Sequence, residues 1–90
     1  MTAAQLRKRL DDRFLDEIEE LQFPSASMLN RVESSLRDGD ALARYAEMLV
    51  EKVEATQFPS VSLLNRLDGV LARLEHYERA EEAEREDDED

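Results

Sequence analysis

The sequence predicts an all-α protein, a four-helix bundle made of two tandemly duplicated helix-break-helix hairpins. Three observations predict this fold. Apolar residues recur at helical spacing, a proline interrupts the pattern twice, and a ten-residue segment occurs twice at an offset of 35 residues. Because one hairpin cannot bury its apolar face alone, we expect the two copies to pack together about a pseudo-twofold axis.

The repeated segment is the most informative feature of the chain. Residues 22–31 read Gln-Phe-Pro-Ser-Ala-Ser-Met-Leu-Asn-Arg, and residues 57–66 read Gln-Phe-Pro-Ser-Val-Ser-Leu-Leu-Asn-Arg. Eight of the ten positions are identical, and both differences exchange one apolar residue for another. The similarity extends to about 10–37 and 45–72, which indicates an internal duplication.

The first copy predicts helices at about 4–21 and 25–37. Pro24 ends the first of them, because its ring lacks an N–H donor and restricts the preceding residue to extended geometry. Ser25 is the better candidate for the N-cap of the second helix, and Ser27 competes for that role. The apolar face of the first helix has spacings of three and four residues and consists of Leu6, Leu10, Phe14, Ile18 and Leu21.

The second copy predicts helices at about 40–55 and 60–82. Gly39 is expected to end the second helix with a positive φ, and Asp40 to cap the third. Pro59 repeats the break, with Ser60 or Ser62 as the next N-cap. The apolar stripe of the third helix contains Leu42, Tyr45, Met48, Leu49 and Val53, and that of the fourth contains Leu63, Leu64, Leu67, Val70, Leu71, Leu74 and Tyr77.

Charge divides the chain into a helical domain at 1–82 and an acidic tail at 83–90. The net charge is −11, and residues 81–90 hold eight acids and one base, so this short segment alone carries −7. Such a segment repels itself and has no apolar face, so we expect disorder. The excess of acids over lysines fits a high-salt cytoplasm, and a GC-rich genome that favours arginine codons explains the lysine scarcity equally well.

The composition argues against catalysis and against a membrane location. His76 is the only histidine, there is no cysteine, and the two glycines cannot form a phosphate-binding loop. We therefore expect no enzyme activity, no cofactor and no metal. No apolar run resembles a secretory signal or a membrane span, so the expected location is cytoplasmic.

Two pairs of repeated residues are candidates for interaction. Asn30-Arg31 and Asn65-Arg66 lie beside the apolar stripes, where they could grip a phosphate or a partner carboxylate. Alternatively, each arginine could reach the last turn of a neighbouring helix and offset Glu19 or Glu54. Phe23 and Phe58 could plug one end of the bundle or contact a partner.

Self-association is the expected mode of action, as a twofold homodimer. The fourth helix carries more apolar residues than the short second helix can cover, and the excess includes Leu74 and Tyr77. A core of this size rarely supplies more than ~3–5 kcal/mol, so burial against a second chain would supplement it. Another protein could take the same place, and the first helix could also cover this excess within a monomer.

The alternative function is a helix-turn-helix-like regulator that binds nucleic acid. Residues 59–67 have the polar start and apolar interior of a recognition helix, and the first helix carries a basic patch of Arg7, Lys8, Arg9 and Arg13. The acidity of the chain weighs against this alternative. The acidic tail could act as a solubiliser, as a mask over a basic site or as bait for a basic partner.

Overall fold

The protein is described by a computed structural model that gives the backbone of residues 1–88 and the side chains of residues 1–84. Within residues 1–88 there are four α-helices and no β-strand, which confirms the predicted all-α class. The helices are α1 (Ala3–Glu20), α2 (Ala26–Ser35), α3 (Gly39–Ala55) and α4 (Val61–Asp88).

Helix boundaries follow the predicted breaks at Phe23-Pro24 and Phe58-Pro59. Before the first proline, α1 ends at Glu20 and Leu21 takes an extended conformation. The Ser25 hydroxyl then accepts the backbone N–H of Met28, and the Ser60 hydroxyl accepts that of Leu63. Ser25 and Ser60 therefore cap α2 and α4, as the sequence predicted, because each satisfies an N–H group that has no partner inside its helix.

One apolar core joins all four helices. The most extensive helix pair is α3 with α4, and α3 also packs against α1. The buried core residues are Leu15, Ile18, Leu29, Val32, Leu36, Leu42, Tyr45, Ala46, Met48, Leu49, Leu67 and Val70. Helix α3 contributes the most of these residues, so it lies at the centre of the packing.

The apolar face predicted for α1 is only partly used by the core. Ile18 and its neighbour Leu15 are fully buried, whereas Leu6 is 50% and Leu10 is 42% exposed. The cause is helix length. At 1.5 Å per residue, the 18 residues of α1 span about 27 Å and the ten residues of α2 about 15 Å. The first half of α1 therefore extends past the end of α2.

The predicted roles of Gly39 and Asp40 are wrong. Helix α2 ends at Ser35, and no glycine among the described residues has a positive φ. Leu36 instead takes an extended conformation and is fully buried. The cap of α3 is Asp38, whose carboxylate accepts the backbone N–H of Asp40. Because α2 ends before Leu36, the chain reaches the cap residue Asp38 sooner than predicted. Helix α3 therefore begins at Gly39.

Helix α4 continues to Asp88, past the predicted end at residue 82. Residues 89–90, which belong to the predicted disordered tail at 83–90, lie outside the described part of the chain. Disorder of that segment stays a prediction. Across the described residues, none of the helices combines the length and the apolar character that a membrane crossing requires.

Equivalent positions of the two repeats have different surroundings. Leu29 is 4% exposed and its repeat partner Leu64 is 41% exposed, while Leu10 is 42% exposed and its partner Tyr45 is fully buried. The helices also differ in length, with ten residues in α2 and 28 in α4. The pseudo-twofold relation between the halves stays a prediction.

Candidate interaction surface

The two break motifs, far apart in sequence, line one groove at the same end of the molecule. This break-end groove has a volume of about 320 Å³. Both Phe-Pro pairs line it, and Leu29, Leu49 and Leu63 form its apolar lining, with Lys52, Thr56 and Arg66 among its polar residues. Its position follows from topology, because α1 and α3 end at the breaks while α2 and α4 begin there.

Large apolar side chains at this end are strongly exposed. Phe23 is 72% and Phe58 is 84% exposed, so neither plugs the end of the core. Leu21, Val61 and Leu64 are also exposed, and we define the break-end surface as these five residues. Large apolar residues exposed at one end of a folded protein are candidates for an interaction site.

Polar contacts from α3 fix the end of α1 beside this surface. The Lys52 ammonium donates to the backbone carbonyl of Leu21 and, at 3.3 Å, to that of Glu19. Both carbonyls are left without helical partners where α1 ends, and a cation at a helix C-terminus also complements the helix dipole. Arg44 pairs with Asp16 at 2.7 Å and with Glu19 at 3.3 Å, and the hydrogen bond to Asp16 raises the pKa of Arg44.

Arg66 belongs to a polar network that joins α2, α3 and α4. Its guanidinium donates to Glu33 Oε2 at 2.7 Å, and the Tyr45 hydroxyl donates to the same oxygen at 2.6 Å. Tyr45 is fully buried, and the side chains of Arg66 and Glu33 are 17% and 22% exposed. Burial raises the pKa of Tyr45, and the hydrogen bond to the Glu33 carboxylate raises it further. The same carboxylate raises the pKa of Arg66.

Arg31, the repeat partner of Arg66, has a different contact. Its guanidinium lies 5.1 Å from the centre of the Phe14 ring, a cation–π arrangement on the outside of α1 and α2. Asn30 and Asn65 are exposed. The structure therefore does not bring the two Asn-Arg pairs together into one symmetric site. Arg66 does reach the last turn of a neighbouring helix, α2, but it pairs there with Glu33 and not with Glu19 or Glu54, whereas Arg31 lies over Phe14.

Leu74 and Tyr77 are partly buried and pack against the core. The apolar excess of α4 is therefore partly covered within the chain. The exposed apolar residues lie elsewhere, at the break-end surface and on the first half of α1.

Three side chains that hold the helix ends and the polar network were missed by sequence reasoning. Lys52 binds the end of α1, Glu33 accepts the bonds of the network, and Arg73 donates to the backbone carbonyls of Glu33 and Leu36 at the end of α2, both at 2.9 Å. For Lys52 and Arg73 the available signal was a charge without a repeated counterpart, whereas Glu33 has an acid, Asp68, at the repeated position. Lys52 replaces Glu17 of the first copy, and Arg73 replaces Asp38.

A second groove lies at the other end of the molecule, between the first half of α1 and the end of α2. Its volume is about 720 Å³. Four cations line it: Arg7, Lys8, Arg31 and Arg37. All four are exposed, and none takes part in a salt bridge among side chains 1–84. We call this the basic groove.

Groups suited to metal chemistry are not gathered in the described part of the chain. His76 is exposed on α4, and the side chains described, those of residues 1–84, include no cluster of three or more His, Cys, Asp or Glu that could hold a metal ion. Comparison of the chain with protein-family models, with curated proteins and with solved structures gives no match.

Proposed function

We propose that this protein is a non-enzymatic interaction module that forms a homodimer through the break-end surface. The observation that carries the proposal is the exposure of Phe23 and Phe58 beside an apolar groove. Fully burying one phenylalanine side chain stabilises an association by about 1.5–3 kcal/mol, and aromatic anchors dominate many interfaces. Two exposed phenylalanines could therefore supply a large part of the binding free energy of such a small domain.

A second copy fits this surface because an exposed side chain, Phe58, and the break-end groove lie next to each other. A twofold interface uses the same patch on both subunits, so each patch must be complementary to itself. Phe58, the more exposed of the two phenylalanines, is the protrusion, and the break-end groove with Leu29 and Leu63 is the recess. Each copy would place its phenylalanine against the groove of the other.

The distribution of charge also supports a contact at this end. Helix α4 begins at the break and has 28 residues, so its acidic end lies about 42 Å away at 1.5 Å per residue. That distance is several Debye lengths at physiological ionic strength. A dimer joined at the break end therefore keeps its two most acidic segments far apart.

Sedimentation in molar salt tests the proposal, since salt screens the repulsion between acidic chains and leaves apolar burial intact. We expect a mass near twice 10.4 kDa for the wild type and near 10.4 kDa for the double variant Phe23→Ser/Phe58→Ser. The control Leu6→Ser/Leu10→Ser removes two exposed apolar residues from α1 and should stay dimeric. A wild type that is monomeric at every micromolar concentration would contradict the proposal.

Nucleic-acid binding by a helix-turn-helix-like segment remains the alternative. The only basic residue of segment 59–67 is Arg66, and its guanidinium is paired with Glu33. The segment otherwise presents Val61 and Leu64, which are apolar and exposed. These observations favour a protein partner over a phosphate backbone. Titration with a labelled DNA duplex tests the alternative directly. A cytoplasmic location stays a prediction.

A further inference from the structure

We infer that the break-end groove contains a subsite for an aromatic ring, formed by Arg66 and Leu49, and that Phe58 of a second copy occupies it. The inference rests on the proposed homodimer and deepens it. It identifies Arg66 as the residue that selects an aromatic ring over an aliphatic side chain, through a cation–π contact between its guanidinium and the ring.

The first repeat contains such a contact within the chain. The guanidinium of Arg31 lies 5.1 Å from the centre of the Phe14 ring, and Phe14 is partly buried against the core. A cation over an aromatic ring is attracted by the negative electrostatic potential of the ring face. In the first repeat, an arginine from the second helix therefore lies over a ring from the first helix.

The second repeat has the arginine but not the ring. At the offset of 35 residues, Arg66 corresponds to Arg31, and Leu49 corresponds to Phe14. Leucine has no aromatic ring, so α3 cannot supply the ring that α1 supplies in the first repeat. Arg66 and Leu49 both line the break-end groove. A side chain that enters the groove from outside can therefore supply the ring.

Arg66 is held in place for this contact. Its guanidinium donates to Glu33 Oε2 at 2.7 Å, and its side chain is 17% exposed. The N–H groups of a guanidinium lie in its plane, so pairing with a carboxylate leaves the faces available for stacking on a ring. The other charged residue that lines the groove is Lys52, and no carboxylate among the described side chains lines it. The charged lining is therefore complementary to the negative face of a ring.

The ring comes from Phe58 of a second copy. The chain's own Phe58 also lines the groove, but it is 84% exposed, so most of its side chain faces solvent and not Arg66. A twofold contact places the same patch of each copy against the other. Phe58 is the more exposed of the two phenylalanines in that patch, since Phe23 is 72% exposed. Each dimer then contains two such contacts.

A double-mutant cycle tests the inference. Phe58→Leu keeps an apolar side chain and removes the ring. Arg66→Lys keeps a cation for Glu33 and removes the planar guanidinium. Sedimentation in molar salt measures the dissociation constant of the dimer for the wild type, both single variants and the double variant. Salt at that concentration screens exposed charges much more than groups buried in an interface. Circular dichroism verifies that each variant is folded.

We expect each single variant to weaken the dimer at least about tenfold, because a desolvated cation–π contact is lost twice in each dimer. The double variant should be little weaker than either single variant, whereas independent effects would multiply to about a hundredfold. The control is Arg31→Lys, the same substitution at the repeat partner of Arg66. Its ring, Phe14, belongs to its own chain, so this variant should dimerise as the wild type does.

Two results would overturn the aromatic subsite. One is a pair of effects that multiply, which is what a merely structural role of Arg66 predicts. The other is an Arg66→Lys variant that dimerises as tightly as the wild type. In both cases a dimeric wild type and a monomeric Phe23→Ser/Phe58→Ser variant would still support the break-end dimer. A wild type that is monomeric in molar salt overturns the dimer and the subsite together, so the two failures are distinguishable.

Discussion

Replacing Glu33 by alanine removes the acceptor shared by two helices and should destabilise the fold strongly. Tyr45 is fully buried and its hydroxyl would lose Glu33, its one hydrogen-bond partner among the described side chains, which costs about 1–3 kcal/mol. Arg66 would lose its carboxylate, but its side chain retains 17% exposure and can reach water, so we add about 1 kcal/mol for it. The expected loss is about 3 kcal/mol.

That loss is large for this chain. A core of this size rarely supplies more than ~3–5 kcal/mol, so a loss of about 3 kcal/mol removes most of the stability. A domain of this size loses about 4–8 °C of melting temperature per kcal/mol, so Glu33→Ala should melt roughly 12–24 °C lower. Urea unfolding followed by far-ultraviolet circular dichroism measures the free energy directly.

The repeated sequence provides a matched control. Asp68 is the repeat partner of Glu33 and is exposed on α4, so Asp68→Ala should change the free energy of unfolding by less than about 0.5 kcal/mol. Glu33→Gln keeps an acceptor for the Tyr45 hydroxyl while removing the charge. Its loss of unfolding free energy should lie between those of Glu33→Ala and Asp68→Ala. If Glu33→Ala is as stable as Asp68→Ala, the network does not contribute and the reasoning is refuted.

Two further predictions concern titration and packing. The pKa of Tyr45 is raised above its unfolded value of about 10, so its contribution to stability is complete below that pH and is lost as the pH rises above it. Above pH ~10, the free energy of unfolding of the wild type should fall by up to about 1.4 kcal/mol more per pH unit than that of Tyr45→Phe. Urea unfolding across that pH range measures both. Parallel plots of unfolding free energy against pH would contradict this prediction. Leu29→Ala should cost about 2–4 kcal/mol and its repeat partner Leu64→Ala less than about 1 kcal/mol, because only Leu29 is buried. Equal losses in chemical denaturation would show that the exposure of Leu64 does not persist in solution.

The helices were predictable because their signals are local. Apolar spacing, the prolines and the following serines each act within a few residues, and residues 1–88 form four helices with caps at Ser25 and Ser60. Which apolar residues become buried depends on the lengths of neighbouring helices. The sequence therefore did not reveal that Leu10 is exposed while its repeat partner Tyr45 is fully buried.

The candidate surface was predictable only in part. Phe23 and Phe58 were identified from the repeat, but their exposure follows from the way two distant breaks meet at one end of the core. The partners of Arg66 were not predictable, because Glu33 is 33 residues away and belongs to another helix. The same holds for Lys52 and Leu21, whose contact joins α3 to the end of α1.

The break-end groove takes its lining from both repeats, so it exists only while both hairpins are folded. Any molecule that binds there selects the folded chain over the unfolded one. At a free concentration one hundred times its dissociation constant, such a molecule adds about 2.7 kcal/mol to the stability. A core of this size supplies only ~3–5 kcal/mol by itself. In the proposed dimer that molecule is a second copy of the chain, so the folded fraction, and with it the half-life against proteolysis, would rise with the concentration of the protein itself.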